Sequence, residues 1–271
     1  MSALLAQEAA RLEAELKSSF RKRADPRSVA ALRNRLRDKY EELLTTDYAL
    51  AQSNDVEPNL WKLIFYKRVE ELRKKVRKLQ SASTAGEPEA AALYARQLDA
   101  LRQVLREASG FYHDLIRKLE GLKGPVKTTV SLHRCYIFLG DLARYTEWHK
   151  EGRNKDWSIA ESYYMEAVQT LCTIGHPQNQ LAVLATYMDD DLLATYRYFR
   201  CLAVEHPFST ARDNLVLAFE KARTSYEKLA AREQAASRVV GNGTGGGNDK
   251  AMMVMPTARR RAGSGSGSGS G

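Results

Sequence analysis

Between Leu60 and Gln80 the chain sets eight basic side chains, Lys62, Lys67, Arg68, Arg73, Lys74, Lys75, Arg77 and Lys78, against only Glu70 and Glu71. Lys67, Lys74 and Lys78 recur at steps of seven and four, so on a helix they share one face, roughly opposite an apolar seam of Phe65, Leu72 and Val76. A row of fixed ammonium groups attracts anions. The second grouping is Gly140-Asp141-Leu142-Ala143-Arg144-Tyr145. Arg144 follows Gly140 by one turn, and the absent side chain leaves the guanidinium open to a ligand. A guanidinium matches phosphate oxygens with a rigid two-pronged fork, which an ammonium cannot do. Both groupings suit an anionic ligand: a phosphopeptide, a nucleic acid or an acidic partner.

Other chemistry finds little support. There is no Gly-x-Gly-x-x-Gly, Gly-x-x-x-x-Gly-Lys-Ser/Thr, His-Glu-x-x-His or Gly-x-Ser-x-Gly pattern, so no enzyme and no cofactor are expected. His113, His133, His149, His176 and His206 lack ligand spacing and read as structural or surface residues. Asp189-Asp190-Asp191 reads as the start of a helix, where acidic groups favour the positive end of the dipole. No acidic cluster suits a two-metal nuclease. Cys135, Cys172 and Cys201 form no Cys-x-x-Cys pair, so they read as small buried hydrophobes in a reducing, intracellular setting.

The elements that position these groups are helices. Leu5, Leu12, Leu16 and Phe20, then Leu32, Leu36, Tyr40, Leu43 and Leu44 after Pro26, mark two of them. Further helices are expected over 60–80, 89–122, 131–148, 157–171, 177–187, 191–204 and 209–232, with a loop from Ser81 to Pro88. Pro177 suits a first helical turn, and no segment alternates like a strand. The expectation is an all-α protein of about nine antiparallel helices. Leu139-Gly140, Ala160, Tyr164 and Ala167, with a looser copy in Leu184, Ala194, Tyr198 and Pro207, follow tetratricopeptide spacing, and such helix pairs stack around a concave face.

The 271 residues can bury a sizeable core. Ten of the 17 glycines lie in residues 241–271, which end in a Gly-Ser alternation from Gly263. The organisation expected is a helical domain over 1–235, a linker or truncated end over 236–262, and an engineered Gly-Ser segment over 263–271. Of the net charge of +9, the last 31 residues carry three and the basic helix the equivalent of the rest. No apolar run approaches a membrane span, and no membrane association is expected.

Several further stretches occur in order: Phe111-Tyr112-His113-Asp114-Leu115-Ile116, Leu139 to Tyr145, Gly175-His176-Pro177-Gln178-Asn179-Gln180-Leu181-Ala182, Tyr196-Arg197-Tyr198-Phe199-Arg200, and Pro207-Phe208-Ser209-Thr210-Ala211-Arg212-Asp213-Asn214-Leu215. Over about residues 58–222 the sequence resembles the N-terminal domain of the SMG five/six/seven family, relatives of the "ever shorter telomeres" proteins. Its wording is nearest the family's plant SMG-seven branch.

The resemblance implies a 14-3-3-like bundle that binds the up-frameshift RNA helicase phosphorylated at Ser-Gln or Thr-Gln sites, linking it to nonsense-mediated mRNA decay. In such domains a lysine on the third helix and an Arg-Tyr pair on a later one hold the phosphate. Lys67 matches the first, Arg144 and Tyr145 the second, and Lys74 a further basic residue along the third helix. Asn179 and Asn214 match asparagines that bind the peptide backbone; their residue type equally suits a helix cap or a local hydrogen bond. The family also implies a homodimer or a heterodimer with an SMG-five-type protein, decay factors recruited by a C-terminal region beyond this chain, and a cytoplasmic location in processing bodies with nuclear shuttling. Two rival readings remain: a telomerase- or RNA-associated nucleic-acid module, and a protein-interaction scaffold indifferent to phosphate.

Overall fold

The computed structural model describes residues 2–84, 88–122, 128–152 and 154–241. The chain divides into two compact units, Met1–Glu220 and Lys221–Gly271. The expected linker beyond residue 241 and the Gly-Ser segment lie outside the described residues.

The first unit is built of helices paired in chain order. Helix α1 (Ser2–Lys22) lies against α2 (Pro26–Thr46). Leu5, Ala9, Leu12 and Leu16 of α1, at steps of four, three and four, are buried with Val29, Leu32, Leu36, Tyr40, Leu43 and Leu44 of α2. Asp25 caps α2 by accepting from the Ser28 N–H at 3.0 Å, and Pro26 takes the first turn, where its missing donor costs nothing. Two short helices follow that the spacing of apolar residues did not announce, α3 (Tyr48–Ser53) and α4 (Val56–Asn59). Together with the expected nine they bring the described residues to eleven α-helices.

The expected helix over 60–80 begins with a π-helical stretch, Leu60–Tyr66, before α5 (Lys67–Thr84). A π turn holds more residues than an α turn, so one wide turn brings Leu60, Leu63, Ile64 and Phe65 into the core together. Trp61, partly buried beside them, stacks on Phe138 at 4.5 Å, and Tyr112 closes on both rings. Helix α5 then runs to Thr84, into the expected loop, and pairs with α6 (Pro88–Glu120). Helix α7 (Thr129–Trp148) pairs with α8 (Ser158–Thr170), and α9 (His176–Tyr187) with α10 (Asp191–Leu202).

Two details tie these helices together. Glu57 of α4, only 1% exposed, accepts from Ser131 Oγ at 2.7 Å and pairs with Arg134 at 3.3 Å, joining α4 to α7. Its pKa is raised, burial prevailing over Ser131 and Arg134. An isolated β-bridge between Ile174 and His206 pins the turn before α9 to the turn after α10. A side chain at Gly175 would meet the Cys201 carbonyl oxygen at 2.6 Å, so this crossing requires glycine.

Helix α11 (Ala211–Gly241) starts in the first unit and continues past the expected end at Arg232. In the second unit its described side chains are almost all exposed, and Arg223 pairs with Glu227 at 3.9 Å. No helix among the described residues is long and apolar enough to cross a membrane. Asp190 caps α10 by accepting from the Leu193 N–H at 2.9 Å, as its place in the acidic run suggests. Cys135 and Cys201 are buried, but Cys172 is exposed because it falls on the turn after α8 rather than on a helix face.

Candidate anion-binding site

Helix α7 carries the centre of the site. Asp141 and Arg144, three residues apart, fall on neighbouring positions of one face and pair at 2.8 Å. Tyr164 of α8 donates to Asp141 at 2.8 Å and accepts from Arg144 Nε at 3.2 Å. The tyrosine ring reaches this position through Gly140, where a Cβ would come within 2.4 Å of it. Gly140 therefore does not leave Arg144 open to a ligand, as its lack of a side chain suggested. The space is filled by Tyr164, which orients the guanidinium.

Tyr145 is 6% exposed and sits under two guanidinium groups. Arg144 lies 4.7 Å from its ring centroid and Arg73, arriving from α5, lies 4.0 Å away. Burial works against the Arg144 charge, but Asp141, with Tyr164 and Tyr145, outweighs that cost and raises its pKa. Burial and then Asp141 push the Tyr145 hydroxyl up to about 12, so it remains a donor at neutral pH. The arrangement offers two fixed cations and a hydroxyl, the chemistry of an anion receptor.

Lys67 and Lys74 stand on an adjoining surface. They line a groove of about 410 Å³ with Lys62, Tyr66, Glu70 and Glu71. The Lys67 ammonium turns to α1 and lies 3.7 Å from the Phe20 ring centroid. The expectation that Lys67 and Arg144 share a phosphate thus meets a structure in which Arg73 is the α5 residue resting on the Arg-Tyr pair. An anion reaching this groove would compete with the Phe20 ring for the Lys67 ammonium. Tyr66, which lines the groove, is within electrostatic range of Tyr145. Lys74 is mostly exposed, its ammonium 3.9 Å from Glu70.

Asn179 and Asn214 are brought together, although 35 residues separate them. The Asn214 side-chain amide donates to the side-chain Oδ1 of Asn179 at 3.0 Å, linking α9 to α11. Neither side chain spends this bond on capping or bonding within its own helix. Next to them His176, at the start of α9, stacks on Phe208 with 4.4 Å between centroids. Its pKa is lowered by burial, with Asp141 opposing and Arg144 reinforcing the shift, which places its ring within electrostatic range of the Asp141–Arg144 pair.

Residues 55–122 match the family model "Telomerase activating protein Est1", and residues 160–255 match "Est1 DNA/RNA binding domain". The Arabidopsis thaliana protein "Nonsense-mediated mRNA decay factor SMG7" is 38% identical over 270 residues, spanning 87% of this chain and 25% of its own. The chain belongs to the Est1/SMG7 family. "Nonsense-mediated mRNA decay factor SMG7-like" of the same plant is 39% identical over 69% of this chain and 20% of its own. The chain thus spans a quarter or less of the length of these relatives. Among solved structures, "Crystal structure of Est1 and Cdc13" superposes with a TM-score of 0.62 at 12% identity, covering 85% of this chain and 50% of that one. "Structure of the C. elegans SMG5-SMG7 complex" gives 0.51 at 18%, covering 79% and 53%. The Est1/SMG7 helical fold is therefore shared.

Within this Est1/SMG7 chain, Arg73, Asp141 and Tyr164 join the site although their types alone did not single them out. Asp141 had a signal, the three-residue spacing to Arg144 that pairs charges on a helix. Tyr164 had a fainter one in its repeat spacing from Gly140. Arg73 had none, because which face of α5 meets α7 depends on the π turn before it.

Proposed function

We propose that this chain is the phosphopeptide-binding domain of a nonsense-mediated mRNA decay adaptor, with a 14-3-3-like mode of recognition and no enzymatic activity of its own. The observation that carries this reading is the convergence of Arg144 and Arg73 on the Tyr145 ring, with Asp141 and Tyr164 holding Arg144 in place. A phosphoserine brings about −1.5 to −2 charges and three acceptor oxygens. It takes charge-assisted hydrogen bonds from Arg144, Arg73 and Lys67 and a neutral one from Tyr145, while Lys74 adds to the field along the groove. The paired amides of Asn179 and Asn214 supply donors for an extended backbone. The partner is the phosphorylated up-frameshift RNA helicase, and an SMG-five-type protein pairs with the adaptor. The setting is the cytoplasm and its processing bodies. Similarity to decay factors over most of the chain supports this reading.

Calorimetry with matched phosphorylated and unphosphorylated Ser-Gln peptides tests it. Binding at least tenfold tighter with phosphate, abolished by Arg144→Glu, is expected; equal binding of both peptides would sink the proposal and favour a scaffold indifferent to phosphate. A second reading, nucleic-acid binding, is favoured by the description of the family model over residues 160–255. It requires RNA affinity that falls steeply with salt, by about 0.7 log units per phosphate contact for each log unit of salt, together with indifference to peptide phosphorylation.

A further inference from the structure

Tyr145 and His149 stand four residues apart, on one face of the last turns of α7. Arg73 and Arg77 repeat that spacing on α5, and Arg73 rests on Tyr145. His149 ends α7, its main-chain N–H bonded to the carbonyls of Glu147 and Thr146. Its Nε2 is shut off from solvent and has no hydrogen-bond partner among the described residues, and the same is true of Arg73 Nε. Four cations act on the imidazole: Arg73 and Arg77 from α5, Arg102 from α6, and Lys155 from the connection to α8.

The carboxylates nearby do not balance them. Glu70 is divided between Arg73 at 3.2 Å and Arg77 at 3.7 Å, with Lys74 on the same carboxylate, and the exposed Asp99 pairs with Arg102 at 3.4 Å. Glu147 is held by Lys150 at 2.5 Å and by the Asp156 N–H at 2.9 Å, while Lys155 donates to the Lys150 carbonyl. A histidine at a helix C-terminus ordinarily gains a proton from the dipole. Here burial and then the cations win, lowering its pKa to about 4. The cations add to burial in disfavouring a proton, and the same four cations would attract an anion.

We propose that Arg77, His149 and Lys155 form a second anion subsite, which takes a phosphate or carboxylate of the same peptide whose phosphoserine sits at Arg144 and Tyr145. The inference rests on the phosphopeptide reading above. Four residues of helix advance about 6 Å and two residues of extended peptide about 6.6 Å, so the second charged group belongs two positions from the phosphoserine. Arg77, with its side chain 58% exposed, is the point of entry. Anion binding gives the orphaned Nε2 an acceptor once the imidazole is protonated, so the bound anion raises the pKa of His149.

The test uses the whole chain and four kinds of Ser-Gln peptide: unphosphorylated, singly phosphorylated, and phosphorylated with either an added glutamate or a second phosphoserine two positions to one side or the other. The second charged group is expected to tighten binding at least tenfold on one side. That gain should disappear in Arg77→Gln and in His149→Gln, while affinity for the singly phosphorylated peptide stays within twofold. Comparing the glutamate and phosphoserine arms identifies which anion the subsite takes. No gain on either side, or a gain that survives both substitutions, overturns the subsite. Failure of the singly phosphorylated peptide to bind instead overturns the main reading. The subsite is then decided by NMR titration of the His149 ring, identified by its loss in His149→Gln, with and without inorganic phosphate. An upward move of its midpoint supports the subsite and an unmoved midpoint overturns it. An RNA oligonucleotide weakened by His149→Gln, with every peptide unaffected, also overturns it in favour of nucleic acid.

Discussion

In the proposed site, Arg144 would meet a ligand with its rotamer already settled. Asp141 and Tyr164 remove its freedom to search, so an incoming phosphate need not order it. Arg144→Gln should weaken phosphopeptide binding by at least tenfold, as read by calorimetry, because a neutral amide replaces a charge-assisted fork. Tyr164→Phe should weaken it less, while leaving binding of the unphosphorylated peptide unchanged, since it loosens the guanidinium without removing its charge. His149 makes a different prediction. Its folded pKa lies below the ordinary histidine value, so the unfolded chain binds the proton more readily. Stability on this account is full above about pH 6.5 and is lost as pH falls toward 4. His149→Gln should flatten that part of the profile of melting temperature against pH, relative to the unmodified chain.

Among the helix pairs, α7 meets α8 closely across Gly140. A methyl group there must displace the Tyr164 ring, which is fully buried and bonded at its far end. Gly140→Ala should therefore destabilise the chain by about 1–3 kcal/mol in denaturant unfolding, and should lower phosphopeptide affinity because Arg144 loses its support. The junction of α4 and α7 carries an opposite kind of strain. Glu57 has a raised pKa, so the folded chain holds that proton more tightly than the unfolded one. Its contribution is greatest below the ordinary glutamate range and is lost as pH rises through the raised value. Glu57→Gln should remove that decline, which thermal melts from the ordinary glutamate range upward will reveal.

For the molecule as a whole, the consequence of charge is local. The surplus of +9 would suit a nucleic-acid-seeking surface, yet most of it sits on α5 and beyond residue 241. Along α5 it divides between two surfaces, Lys67 facing α1 and Arg73 facing α7. A complex centred on one phosphate should lose affinity only gradually between 50 and 200 mM salt, whereas an extended nucleic acid making many contacts should lose several orders of magnitude. Parallel salt titrations of phosphopeptide and RNA oligonucleotide separate the two.

Helix periodicity was enough to identify an all-α chain, because buried leucines at three- and four-residue steps leave no room for strands. The paired helices around Gly140 and Tyr164 were likewise legible, and so was the cap at Asp190, since each depends on local spacing. The short helices α3 and α4 carry no such signal, because fewer than two turns cannot display a period. The partners of Arg73, Lys67 and Asn179 were decided by the tertiary structure alone. Local spacing determines which residues share a helix face, but the π turn at Leu60–Tyr66 and the packing of α5 against its neighbours set where each face points. Contacts such as Arg73 on Tyr145 and Asn214 on Asn179 join residues 72 and 35 positions apart, a distance over which no local pattern carries information.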